Sequence, residues 1–208
     1  MKTYIDLNTY PRRSHFEYFR ALAFPYVGLT ANVDVTNLIR YAKERQGSPF
    51  LAILWAASQA ANSVPELRQR IEGEGIVEFD HCDVGHTVAL PDHTFCNCYT
   101  DCRRSLEDFL VYAKGCQEEA MQHHGFVNPD EDESGLIFTS CVPWVAFTQC
   151  VQPVPVPADC NPRIVFGKFI NDGRKTLMPL HIQCNHALVD GYHIGAFYQE
   201  FERIAASV

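Results

Sequence analysis

Hydrophobic and polar positions alternate along this chain in two rhythms. A period near 3.6 marks a helix with one apolar face, and a period of two marks a half-buried strand. Arg13 to Arg20 (RSHFEYFR) follows the first and predicts a short helix with an aromatic face. Tyr26 to Asp34 (YVGLTANVD) follows the second and predicts a strand. VTNLIRYAKERQG returns to helical spacing, with Thr36 expected as N-cap and Gly47 as the stop. Pro49 stands where a helix tolerates proline, at its first position. The following FLAILWAASQAANSV is apolar all round, which predicts a helix inside the core.

Further on, Glu74 to Phe79, Gly85 to Leu90 and Thr94 to Thr100 read as short strands between Asp, His, Pro and Gly. Ser105 opens a capping-box-like start to a helix through FLVYAKGCQEEAM. HHGFVNPDEDESG is polar and predicts a loop, with His123 and His124 beside Asp130 to Glu133 in a solvated stretch. LIFTSCVPWVAFTQCV predicts buried strand interrupted by proline, and VQPVPVPADCNP an extended proline-rich loop. RIVFGKFI, a turn at Asn171-Asp172-Gly173, and KTLMPLHIQCN predict strand, turn and strand. A helix from Tyr192 to Ala206 closes the chain. Strands and helices do not alternate regularly. The expected class is therefore α+β, a two-layer α/β sandwich on a mixed sheet, rather than a doubly wound parallel fold. With no repeat and no linker, residues 1–208 are expected to form a single domain.

Composition narrows the partners. The net charge of −8 disfavours polyanions, so no nucleic acid is expected. No stretch has the length of a secretory signal or a membrane span, which predicts a cytoplasmic protein without membrane attachment. Nine cysteines in that setting read as reduced thiols. Phe95-Cys96-Asn97-Cys98, with His93 and Cys102, lacks the paired Cys-x2-Cys spacing of structural zinc, so no metal is expected. Cys141 has no base indicated for it, and no phosphate-binding glycine loop occurs.

The stretch richest in chemistry is Asn185-His186-Ala187-Leu188-Val189-Asp190-Gly191-Tyr192-His193, where the last strand meets the last helix. A histidine there is held by the sheet yet faces a cleft. Imidazole titrates near about 6.5, which suits proton removal from a hydroxyl at neutral pH. Gly191 is expected to permit an unusual backbone in the turn.

This stretch resembles the His-His-Ala-Val-Cys-Asp-Gly-Phe-His pattern of the chloramphenicol acetyltransferase family. Arg12-Arg13-Ser14-His15-Phe16-Glu17 and Ser140-Cys141-Val142-Pro143-Trp144-Val145-Ala146-Phe147 are similar to two further signatures of that family, in the same order. Pro65-Glu66-Leu67-Arg68 and Met178-Pro179-Leu180 fit as well. The resemblance implies the CoA-dependent acyltransferase fold and transfer of acetyl from acetyl-CoA, as co-substrate, to a hydroxyl of chloramphenicol or a similar small molecule. That activity would confer antibiotic resistance. It implies His186 as general base without an acyl-enzyme, Ser140 as oxyanion donor, and Asp190 paired with Arg12 to pin the turn. Tyr18, Phe19, Pro25, Phe95, Cys150, Gln152 and Val165 match acceptor-pocket positions, and Phe50, Lys168 and Phe169 stand on the CoA side. Arg174 is a further candidate for phosphate. The resemblance also implies a homotrimer with its sites at subunit interfaces, the histidine from one subunit and much of the acceptor pocket from its neighbour.

Departures from the family pattern keep other readings open. Asn185 replaces the first histidine of the doublet, Val165 falls near a threonine, Ser48 near a lysine, and Val189 stands for a cysteine. Cys150 and Gln152 stand at two apolar pocket positions and Pro25 at a cysteine's, and the more polar lining suits a different acceptor. A different hydroxyl acceptor, a thiol acceptor as in dihydrolipoyl acyltransferases, or a non-catalytic binding protein on the same fold are the alternatives.

Overall fold

The computed structural model describes residues 1–123 and 132–208. The chain runs through β1 (Lys2–Ile5), α1 (Arg13–Phe19), β2 (Tyr26–Asp34), α2 (Thr36–Glu44) and α3 (Pro49–Asn62). There follow β3 (Gln69–Glu72), β4 (Gly75–Phe79), β5 (Asp83–Ala89), β6 (Phe95–Thr100) and α4 (Leu106–His123). The last elements are β7 (Leu136–Val142), β8 (Arg163–Gly167), β9 (Ile170–Asn171), β10 (Thr176–Asn185) and α5 (Gly191–Ser207). Of the stretch expected as a polar loop, residues 124–131 lie outside the described ones, His124 and Asp130 among them. α4 itself runs through His123, and Glu133–Gly135 forms a 3-10 turn.

The main sheet has the order β2-β10-β8-β7-β5-β6, with β9 against the start of β10. β5, β7 and β8 run parallel, and the other pairs are antiparallel. The sheet is mixed, as the irregular element order implied. A second sheet, β1-β4-β3, stands apart. β1 and β3 were not expected, because each has only four residues and β1 is almost wholly exposed. Buried Arg70 ties this small sheet to the main one. Its guanidinium donates to the carbonyls of Ser134, Leu67 and Leu136.

Strand alternation gives the main sheet two unlike faces. Leu180, Ile182 and Cys184 of β10, with Ile164 and Phe166 of β8, join the core formed with α3 and α5. α3 lies in that core on nearly every side, and each of its fully buried leucines and isoleucines contributes roughly 1.5–3 kcal/mol. Ser48 caps it by accepting from Leu51 N–H. The opposite face carries Thr30, His181, Gln183, Asn185, Arg163 and Ser140, polar residues at alternate positions. No described helix is long and apolar enough to cross a membrane.

Four local expectations are corrected. Thr36 is already helical and the N-cap of α2 is Val35, with no side-chain cap bond; Asp34, one residue earlier, accepts from both the N–H and the hydroxyl of Thr36. The left-handed residue after α2 is Gln46, with φ 55°, rather than Gly47. Gly191 is the first residue of α5 and has no positive φ, so the turn before it needs no glycine freedom. The stretch after Val142 is not buried strand. β8 ends opposite Val142 at Gly167, so residues 143–151 have no strand partner, and Trp144, Val145 and Val151 stand exposed. Gly167 allows that segment to pass closely, since a Cβ there would lie 2.8 Å from Val145 O.

Candidate active site

The turn that follows β10 is closed by backbone. Leu188 and Val189 N–H both donate to Asn185 O, and His186 N–H donates to Pro25 O at 2.7 Å. His186 Nδ1 lies 2.9 Å from Val189 O. A carbonyl only accepts, so Nδ1 carries the proton and Nε2 keeps its lone pair. Among the described residues Nε2 has no hydrogen-bond partner. The imidazole stacks on Phe19, with ring centroids 3.9 Å apart and planes 13° from parallel. One face and one nitrogen of the ring are fixed, and the remaining nitrogen is free to accept a proton.

The backbone behind His186 is clamped by charge. Arg12 Nη1 pairs with Asp190 Oδ2, and Arg12 Nη2 donates to His186 O at 3.4 Å. Asp190 is also the N-cap of α5, accepting from Tyr192 N–H at 3.0 Å, and His193 Nδ1 accepts from Asp190 N–H in return. His193 Nε2 reaches Glu66 at 3.5 Å. Asn185 adds a neutral tie, donating to Asp159 O and accepting from Ala187 N–H. Asp159 is held in turn by Tyr26 and by a bidentate Arg163, which anchors the proline-rich loop beside the turn.

Burial alone would raise the Asp190 carboxyl. The Tyr192 N–H, the Arg12 guanidinium and His193 outweigh it and hold the group below the usual carboxylate range. A depressed folded value stabilises the fold above the unfolded carboxylate value of about 3.9, and that contribution is lost as pH falls through the folded value. Asp190→Asn is therefore expected to cost about 1–3 kcal/mol at neutral pH, with a smaller loss of stability below about pH 4 than in the parent. Thermal melts between pH 3 and 7 measure both. An unchanged melting curve at every pH would mean the pair is idle.

Ser140 stands elsewhere. Its hydroxyl is 3.1 Å from that of Thr87 on β5. Both line a cavity of about 630 Å³ with Phe95, Phe50 and Trp144. A smaller adjoining cavity of about 250 Å³ shares Ser48, Phe50, Cys141 and Pro143 and reaches Lys168 and Phe169. Lys168 is exposed and forms no ion pair among the described residues. Burial pushes the Cys141 thiol up to about 11, so it is not an ionised nucleophile at neutral pH.

The strand register separates these two groups of residues. Ser140 pairs with Val165, and Val165 with His181, five residues before His186. At about 3.3 Å per residue, His186 and Ser140 of one chain are on the order of 15 Å apart or more. Arg12, Phe19, Pro25, His186 and Asp190 thus come together at one end of β10. Phe50, Phe95, Ser140, Lys168 and Phe169 come together toward the other end, with buried Val165 between. Cys150 and Gln152 join neither group. Gln152 N–H donates to Gln183 Oε1 and its side chain to Cys150 Sγ, and Cys150 lines a cavity of about 350 Å³ with His181. Tyr18 is exposed and meets Phe19 edge-on. Thr87 was missed from the sequence, since period-two alternation places it on a face without naming its neighbour.

Residues 1–202 match the family model described as chloramphenicol acetyltransferase. A chloramphenicol acetyltransferase of Klebsiella sp is 28% identical over 97% of this chain and 92% of its own length. One of Clostridium perfringens is 27% identical over 98% of both. Among solved structures, a chloramphenicol acetyltransferase superposes with a TM-score of 0.84 at 24% identity, covering 99% of this chain and 100% of that one. A probable dihydrolipoamide acetyltransferase from Listeria monocytogenes reaches 0.69 at 16% identity over 95% and 92%. At these identities the structures speak for the fold, which is that of the CoA-dependent acyltransferases.

Proposed function

The chain belongs to the chloramphenicol acetyltransferase family and is an acyltransferase, and from that premise we propose that it moves acetyl from acetyl-CoA to a hydroxyl of chloramphenicol or a similar small molecule. The observation that carries the mechanism is the fixed tautomer of His186. Its free Nε2 removes the acceptor's hydroxyl proton as the oxygen attacks the thioester carbonyl. The resulting oxyanion accepts a hydrogen bond from a Ser140 hydroxyl. The carbon–sulfur bond then breaks, and the CoA thiolate takes the proton back from the imidazolium. No acyl-enzyme intervenes.

The separation of His186 from Ser140 within one chain supports a site completed by a second copy, in the homotrimer of single-domain subunits that the resemblance to the family implies. His186 with Phe19 comes from one subunit, and Ser140, Thr87 and Phe95 from its neighbour. Exposed Trp144, Val145 and Val151, left without a partner in the protomer, suit burial in that contact. The two adjoining cavities suit the thioester arm of acetyl-CoA, with Phe50 and Phe169 as apolar walls and Lys168 as a phosphate partner at the rim. A cytoplasmic location, where acetyl-CoA is made and used, agrees with this reading.

A different hydroxyl acceptor is the second reading: Cys150 and Gln152, which match acceptor-pocket positions by resemblance to the family, stand apart from both groups within one protomer, so the lining differs where a pocket's few polar groups set its specificity. A thiol assay of CoA release decides between them. The first reading expects release from acetyl-CoA that depends on chloramphenicol. Release with another hydroxyl compound and none with chloramphenicol would replace the acceptor and keep the reaction, and release with no acceptor of any kind tried would remove the reaction.

A further inference from the structure

Away from these groups, at the far end of the main sheet, we propose that His81, Asp83 and Asp101 bind a divalent transition metal, with Zn²⁺ the best match. Asp83 begins β5 and Asp101 follows the last residue of β6. Val84 pairs with Thr100, so the two carboxylates leave the sheet side by side. His81 lies two residues before Asp83. One ligand atom from each residue falls within 4.8 Å of the others. His81 Nε2 and Asp83 Oδ1 are 3.4 Å apart, close to the ~3.3 Å edge of a tetrahedron with zinc bonds near 2.0–2.1 Å.

Those two atoms are buried, on side chains that are 18% and 40% exposed, and among the described residues neither has a hydrogen-bond partner, although they face each other. Leaving such atoms unpaired is costly, and a metal between them satisfies both. The loop that carries them is held rigid from behind. Cys82 N–H donates to Asn62 Oδ1 at 2.7 Å, and Asn62 Nδ2 donates to Cys82 O at 3.0 Å. The nearby cation does not fill the gap. Arg103 binds Asp101 through Oδ1 at 2.9 Å and lies 3.9 Å from Asp83 Oδ2. Asp101 Oδ2 and Asp83 Oδ1 are the oxygens it leaves.

Burial lowers the His81 imidazole, with Asp83 and Asp101 acting against it. Burial first, and then the charge of Asp101, raises Asp83, a repulsion that a bound cation relieves. One imidazole and two carboxylates with a fourth position for water suit Zn²⁺ better than Mg²⁺ or Ca²⁺, which prefer six or more oxygens. Asp83 precedes Thr87 by four residues on β5, roughly 13 Å, so the ion clips the sheet end and does not touch the transfer chemistry.

Zinc chloride titrated by calorimetry into reduced, chelator-stripped protein tests this. The expected result is one zinc per chain with a micromolar or tighter Kd and a raised melting temperature. His81→Asn and Asp101→Asn should each weaken binding at least tenfold and remove the thermal shift. Cobalt should bind without a thiolate charge-transfer band, which separates this site from the nine cysteines. Gel filtration and apo melts check that the variants fold, and Asp83→Asn replaces any that does not. Absence of stoichiometric zinc, or binding unmoved by these substitutions, overturns the proposal.

Discussion

His186→Ala is expected to lower kcat by on the order of 10²- to 10⁴-fold with little change in KM for either substrate. The asymmetry follows from geometry. Among the described residues the imidazole makes one side-chain hydrogen bond, to Val189 O, and one stacking contact, to Phe19. Neither is needed to close the turn, because His186 N–H to Pro25 O and the Arg12–Asp190 pair do not use the imidazole. What is lost is the acceptor of the hydroxyl proton, a role played only as the reaction proceeds. His186→Gln serves as a second variant that keeps polarity and still cannot take the proton at neutral pH. A kcat unchanged in both would remove His186 as base.

Ser140→Ala is expected to lower kcat by about 100- to 1000-fold, again with KM nearly constant. The loss is one donor aimed at charge that exists only in the transition state. Thr87 sets the expected size within that range. Its hydroxyl is 3.1 Å from Ser140 Oγ and remains after the substitution, so the site keeps a polar atom and the effect should fall toward the lower figure. Thr87→Val alone should cost less than Ser140→Ala, and the double variant more than either. If Ser140→Ala is silent, the oxyanion is held elsewhere.

Both sites sit on a frame whose legibility in the sequence varied with length and period. α3 was plain because fourteen residues of nearly unbroken apolar character have one home, the core. β10 was plain because Met178, Leu180, Ile182 and Cys184 alternate along its ten residues. β1 and β3 were not, since four residues are too few to carry a period, and β3 buries the polar Gln69 and Arg70. Residues 143–151 misled the reading for another reason: their apolar character predicts burial, and the protomer alone gives them no partner. At the site, helical and strand rhythm led to the turn around His186 but could not bring Arg12 to Asp190 across 178 positions. That pairing came from resemblance to the family, and only the folded chain shows it. Nothing local in the sequence announced Val189 O as the group that sets the imidazole tautomer, because any backbone carbonyl is the same in every residue. His81, Asp83 and Asp101 were equally silent, with one residue at the start of a strand and the other two in separate loops.

The central claim is that one site is shared between two subunits, and mixing two inactive variants tests it most directly. Chains carrying His186→Ala and chains carrying Ser140→Ala are co-expressed with different tags, and trimers holding both are isolated. In every such mixed trimer about one site in three pairs an intact His186 with an intact Ser140 from its neighbour. Activity should therefore rise from that of the parents to about a third of the unaltered enzyme's. Mixed trimers no more active than the parents would contradict the account, because a site built within one chain can never be restored by its neighbour.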